Sequence, residues 1–171
     1  MTSNLTITYR GTVYPWQCDH MGHMNVMWYA GKFDEASWQF LSQVGVTQKT
    51  LRDSGGAIAA VQQNISYKRE IYAGDLITVR TALLDVKEKT IKMLHRMESD
   101  ETGIIAAEAE ITGVYFDAVA RKATPLPEDI SRRARRLLIQ HESPNMPGPF
   151  ETEGYYDMEL STTDPLPFIK R

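Results

Sequence analysis

The stretch Asn25-Val26-Met27-Trp28-Tyr29-Ala30-Gly31-Lys32-Phe33-Asp34-Glu35-Ala36-Ser37-Trp38-Gln39-Phe40-Leu41-Ser42-Gln43-Val44-Gly45 decides the fold. Within it Tyr29, Phe33, Ala36, Phe40, Leu41 and Val44 recur at the helical period, so one apolar stripe runs along a single face. Asn25 can cap a helix by accepting its free backbone N–H groups, and Gly45 can stop one by turning left-handed. The spacing therefore predicts a helix over Val26–Val44 that acts as the core for whatever surrounds it.

Outward from this helix the period changes to two. On its N-terminal side Leu5–Val13 alternates apolar and polar residues and reads as a strand, followed by a loop from Tyr14 to Asn25 broken by Pro15 and Gly22. On its C-terminal side Thr47–Asp53 suggests a short helical turn ended by Ser54-Gly55-Gly56. Extended segments follow at Ala57–Arg69, Leu76–Val86, a stretch with Ile91, Met93, His95 and Met97 on one face, and Ile104–Phe116. Turns at Tyr72-Ala73-Gly74-Asp75, Lys87-Glu88-Lys89 and Asp100–Gly103 separate them. Ile105, Ala107, Ala109, Ile111 and Gly113 share a face whose small side chains let a helix approach closely. Glu128–His141 forms a second amphipathic helix. Five of the eight prolines then fall at positions 144, 147, 149, 165 and 167. The expected organisation is one domain over 1–141 and a Pro-rich extension over 142–171. One strand, one apolar helix and four successive antiparallel strands make an α+β domain: a curved sheet of about five strands wrapped on one long helix. Such a sheet has edges that pair with a second copy, so a homodimer or a dimer of dimers is expected.

Composition removes several function classes. A chain of 171 residues, 42% hydrophobic and 24% charged, suits one folded core and excludes disorder over the whole length. A formal charge of -3 gives no general attraction to nucleic acid or to anionic membrane, so neither is an expected partner, and any anionic ligand needs a local patch. No apolar run reaches the ~20 residues of a membrane span. The start, Met1-Thr2-Ser3-Asn4-Leu5, lacks a secretory pattern, and the one cysteine, Cys18, excludes an internal disulfide, so a cytoplasmic setting is expected.

Chemistry-bearing residues gather in Cys18-Asp19-His20-Met21-Gly22-His23-Met24-Asn25, directly before the long helix, whose free N–H groups can hold negative charge. In acyl-transfer chemistry Asp19 would attack a carbonyl or activate water, and backbone N–H groups near Val26 would stabilise the oxyanion. In a purely architectural reading Asp19 and Asn25 brace the turn and cap the helix. Cys18, Asp19, His20 and His23 are all possible zinc ligands, but structural zinc draws on separated pairs of ligands, and His95 and His141 supply no second pair. Cys18 as a nucleophile with His20 or His23 as base is a further possibility. No metal or cofactor is expected.

The string Asp19-x-x-Gly22-His23-x-Asn25-x-x-x-Tyr29, followed by Phe33-Asp34-Glu35-Ala36, resembles the hotdog-fold acyl-CoA thioesterases, in particular the 4-hydroxybenzoyl-CoA thioesterase branch. A second string, Ile65-Ser66-Tyr67-Lys68-Arg69-Glu70-Ile71-Tyr72-Ala73-Gly74-Asp75-Leu76-Ile77, is similar to that family's strand and Gly-Asp turn; the resemblance spans about residues 5 to 120. It implies a hotdog thioesterase domain acting on an acyl-CoA, with Asp19 as the catalytic carboxylate and the Val26 N–H polarising the thioester carbonyl. His23 and Asn25 would orient water or the acyl group, with Tyr29 in the same motif, and Glu35 is a secondary carboxylate. It also implies sites shared between protomers of a dimer or tetramer. Lys68 and Arg69 are candidates for the phosphates of coenzyme A. Trp16 and Trp28, which flank the loop, could contribute an aromatic slot or a cage for a quaternary ammonium. A non-catalytic acyl-CoA-binding module and a hotdog dehydratase remain the competing classes.

Overall fold

The computed structural model describes residues 5–141, so the Pro-rich 142–171 segment lies outside the described residues. In chain order the elements are β1 (Thr6–Thr12), α1 (Val26–Gln43), α2 (Gln48–Ser54), β2 (Gly56–Tyr67), β3 (Leu76–Val86), β4 (Thr90–Ser99), β5 (Ile105–Asp117), β6 (Lys122–Ala123) and α3 (Glu128–His141). A single 3-10 turn, Pro15–Gln17, interrupts the loop before α1. Asn25 caps α1 as expected, its side chain accepting the Met27 N–H at 3.0 Å, and Gly45 follows with φ at 91°. Thr47, expected inside the short helical turn, is instead the residue that caps α2, its side chain accepting the Thr50 N–H at 3.2 Å.

The strands form one fully antiparallel sheet in the order β1-β3-β4-β5-β2, with the two-residue β6 added beside the end of β5. Strand β2 does not pair with its chain neighbour β3; it crosses to the opposite edge and pairs with β5 from Gly56↔Asp117 to Tyr67↔Ala107. The sheet curls on α1. Tyr29, Phe33 and Ala36 share a buried cluster with Ala107, Ala109 and Ile111 of β5, while the backbone of α1 comes nearest to β1 and β3 rather than to the small-residue face of β5. Farther along, Phe40, Leu41 and Val44 join Leu83, Ile91, Met93 and, from α3, Ile130 and Ala134. Strand β3 is buried at residues of both parities, including Thr78 and Ala82, because it is internal to the sheet and contacts both α1 and α3.

One polar network is sealed in this core. His95, on β4, is fully buried between Ser37 of α1 and Thr81 of β3. Ser37 donates its hydroxyl to the Phe33 carbonyl at 2.8 Å, so its oxygen is left to accept the His95 Nε2–H at 3.0 Å. Nδ1 then accepts from the Thr81 hydroxyl at 2.8 Å, and Thr81 accepts from Thr8 at 2.7 Å. In this arrangement the imidazole is neutral, and Thr8 can also donate to the Val79 carbonyl at 3.3 Å. Burial pushes the His95 pKa down to about 3, which keeps it so. No helix among the described residues is long and apolar enough to cross a membrane.

Candidate active site

The loop ahead of α1 folds as a miniature hairpin. Cys18 bridges Met24, the Asp19 N–H donates to the His23 carbonyl at 3.1 Å, and Gly22 takes φ of 89° to close the turn. The hairpin is fastened from outside by the chain just before β3. Met24 is buried and its N–H donates to the Ile71 carbonyl at 2.7 Å, while His23 bridges Tyr72. On the other side the Asn25 N–H donates to the Gln17 carbonyl at 2.9 Å. Two sequence motifs that are fifty residues apart therefore meet at one place.

Asp19 sits in this frame with its carboxylate partly open, 22% exposed. Oδ1 accepts the Met21 N–H at 2.9 Å, and Oδ2 takes a longer bond of 3.4 Å from the Asn25 amide. Asn25 thus does two jobs, capping the helix with its oxygen and steadying Asp19 with its nitrogen. His23 lies between two carboxylates, Nδ1 at 4.0 Å from Asp19 and Nε2 at 3.6 Å from Glu70. The Val26 N–H, at the first helical position, has no acceptor among the described residues and faces no internal competitor for a bound oxygen. The architectural reading of Asp19 and Asn25 is therefore correct as far as it goes, and still leaves one carboxylate oxygen weakly engaged beside a free helix N–H.

The ground behind this loop is aromatic and acidic. Tyr29 is buried, meets Tyr67 edge-on at 5.2 Å between centroids, and reaches the Arg69 carbonyl at 3.5 Å. Burial, reinforced by the negative fields of Glu70, Tyr67, Asp75 and Cys18, raises the Tyr29 pKa well above that of an ordinary phenol and keeps the hydroxyl protonated. Tyr72 donates to Glu70 at 2.6 Å, a bond that raises the Tyr72 pKa as well.

The remaining candidates separate. Lys68 is tied to Glu108, a buried carboxylate that Arg96 also holds at 2.8 Å. Burial alone would raise the Glu108 pKa, but the Lys68 and Arg96 hydrogen bonds outweigh it and hold it low. Arg69 is exposed, and its guanidinium donates to the Lys68 carbonyl at 3.0 Å. Trp16 is 69% exposed and stacks flat on Tyr14 at 4.4 Å. Trp28 and Glu35 line a different cleft, shared with Lys32 of α1. Cys18 is a half-buried free thiol, and His20 is exposed. Among the described residues no group of three or more His, Cys, Asp or Glu side chains is arranged to hold a metal ion. Glu70 and Tyr72 were absent from the candidates, although their position beside Arg69 and before the Gly-Asp turn was a usable signal.

A curled antiparallel sheet on one central helix, with a carboxylate loop at the helix start, defines a hotdog protein, and superposition agrees. A Staphylococcus aureus protein solved in complex with CoA matches with a TM-score of 0.78 at 19% identity, over 85% of this chain and 90% of the other. The thioesterase-like superfamily matches residues 13–134, and the chain belongs to that family. Among characterised relatives, the L-carnitine dehydrogenase/betainyl-CoA thioesterase of Agrobacterium fabrum is 28% identical over 126 residues, 74% of this chain and 26% of the relative. The chain thus spans about a quarter of that protein's length. The betainyl-CoA thioesterase of Pseudomonas aeruginosa is 21% identical over 145 residues, 85% of this chain and 91% of the relative.

Proposed function

We propose that this chain hydrolyses an acyl-CoA thioester to the free acid and coenzyme A. The observation that carries the reading is the Asp19 carboxylate, steadied by Met21 and Asn25, beside the unpartnered N–H of Val26. With the thioester oxygen on that N–H, the carbonyl carbon becomes electrophilic and the tetrahedral oxyanion is held as it forms. Asp19 then acts in one of two ways. As a nucleophile, it attacks the carbonyl carbon, the C–S bond breaks, the thiolate leaves, and water opens the resulting anhydride. As a general base, it takes a proton from a water whose oxygen attacks directly. His23 and Asn25 orient the water and the carboxylate. Arg69, with no acid partner among the described residues, is the better candidate for a coenzyme A phosphate, since Lys68 is occupied by Glu108.

The acyl group we assign is cationic. Tyr67, Tyr72 and Glu70 offer aromatic surface and negative charge beside His23, which suits a trimethylammonium better than Trp28, whose cleft already contains the Lys32 ammonium. The betainyl-CoA thioesterase relatives support the same choice. The test is thiol release from betainyl-CoA and from its neutral tert-butyl counterpart. Betainyl-CoA should be favoured by about 3- to 30-fold in kcat/KM, the range expected of cation–π attraction, and Glu70→Gln should narrow the gap while Trp28→Leu should not. Equal rates for both esters would remove the cationic assignment, and binding without thiol release from any acyl-CoA would favour the non-catalytic module.

We also propose that the working unit is a homodimer or a dimer of dimers joined along β2. That strand ends the sheet with its outer edge unpaired, and Ala59 to Asn64, including Val61 at 61% exposure, lie open in the isolated chain. Sedimentation at micromolar concentration should show no dominant monomer, and Val61→Lys should release one. A fully active wild-type monomer would exclude this assembly.

A further inference from the structure

The buried ammonium of Lys32 plays no part in the proposed hydrolysis and has no counter-ion. Lys32 is only 3% exposed, yet among the described residues no carboxylate lies within 4.0 Å of its Nζ. It donates to the Tyr9 hydroxyl at 2.9 Å and stands 5.1 Å from the centre of the Tyr9 ring. A phenol and an aromatic face are weak compensation for a desolvated cation, which is ordinarily paired when buried. Among the described residues, two of the three ammonium protons are left without a partner.

The space in front of that ammonium is open and shaped. A cleft of about 260 Å³ lies between β1 and the first turns of α1, walled by Tyr9, Tyr14, Gln17, Trp28, Lys32 and Glu35. Gly11 keeps it so: a Cβ there would come within 2.3 Å of the Tyr9 hydroxyl and displace the ring that positions Lys32. Gly31, on the helix side, likewise leaves its neighbourhood empty. The cleft therefore holds a buried cation at one end, aromatic walls, and enough room for a small polar group.

We propose that this cleft is an anion-binding site in which the Lys32 ammonium receives a carboxylate or phosphate oxygen, with Trp28 and Tyr14 covering the group that carries it. Glu35, one helical turn on from Lys32, lines the same cleft, and its exposed carboxylate repels an anion. The site is separate from Asp19 but shares a wall with it, because Gln17 lines the cleft and its carbonyl holds the Asn25 N–H. The binding chemistry requires no thioesterase activity, so the two readings fail independently.

Trp28 is a built-in reporter once Trp16 and Trp38 are replaced by Phe. In that background inorganic phosphate and acetate should each produce a saturable change in Trp28 emission and should compete with each other. Lys32→Met should weaken both by about tenfold or more, the loss expected for one charge-assisted hydrogen bond, while its thermal midpoint stays at or above that of the parent. Glu35→Gln should act in the other direction and tighten both by about two- to threefold by removing a repulsion. Adenosine 3′,5′-bisphosphate added in a third arm separates the sources: competition with phosphate makes the occupant the nucleotide end of coenzyme A, and its absence makes it a free small acid. A saturable response that survives unchanged in Lys32→Met, or no saturable response to any of the three anions, would overturn the site.

Discussion

Asp19→Asn is expected to leave a folded protein that binds acyl-CoA with nearly the parent KM and turns it over about 10²- to 10⁴-fold more slowly, the range that a positioned acid or base contributes. The substitution is nearly isosteric. Its amide oxygen can still accept the Met21 N–H, so the turn closed by Gly22 stays in place. What is lost is the negative charge in the loop that leads into α1, and with it either the nucleophile or the proton acceptor. If Asp19 only braced the turn, the same change would cost about 1 kcal/mol of stability and leave kcat intact. Urea unfolding beside steady-state kinetics separates these outcomes, and a parent-like kcat would reject both chemical roles. A single turnover in ¹⁸O-water then tests the nucleophile: label on Asp19 shows that it attacked and that water opened the anhydride at the Asp19 carbonyl, and where the label enters the acid, trapping an acyl-enzyme anhydride or its absence separates nucleophile from base.

The second large effect is on stability against acid and comes from His95. Its pKa is about 3 in the folded chain, against 6.5 for a free imidazole, because burial opposes the charge. Below pH 6.5 the unfolded chain takes up a proton that the folded chain refuses, so stability is full above that pH and falls as the pH drops towards 3. Fully expressed, the difference is on the order of 5 kcal/mol, a large share of what a domain of this size possesses. Unfolding free energies from urea titrations should fall by about 1.4 kcal/mol per pH unit between about pH 5.5 and pH 4 from this one group, on top of the slope from carboxylates. His95→Leu removes the titration: it should be less stable at pH 7, because the hydroxyls of Ser37 and Thr81 lose their partner, and show a shallower acid slope. An unchanged slope in that variant would show that His95 is not the acid-sensitive group.

The helix was legible because everything that makes it is local. Tyr29, Phe33, Ala36, Phe40, Leu41 and Val44 are all buried, and Asn25 and Gly45 are where the caps fall. The face Ile91, Met93, His95 and Met97 was equally plain and is buried at each of its four positions. The short β6 was missed, since two residues carry no period. In the loop, the presence of a carboxylate next to a helix start could be read directly, whereas the part taken by Glu70 and Tyr72 depended on Met24 and His23 being fastened to Ile71 and Tyr72.

By itself, then, the sequence determined the α+β class, the central helix, the strands and the residues crowded before α1, because periodicity and capping act over a few residues and leave their mark in the chain order. Only the tertiary structure decided that β2 crosses to pair with β5, since antiparallel pairing is equally open to either neighbour until the sheet closes round α1. It also decided which charges are free. Lys68 and Arg69 are alike in sequence, but Glu108, forty residues on, takes Lys68 and leaves Arg69. Lys32 reads as an ordinary helical lysine until β1 lays Tyr9 against it and the side chain is buried. Burial and ion pairing are properties of what surrounds a side chain, and those surroundings are assembled from segments that the sequence keeps apart.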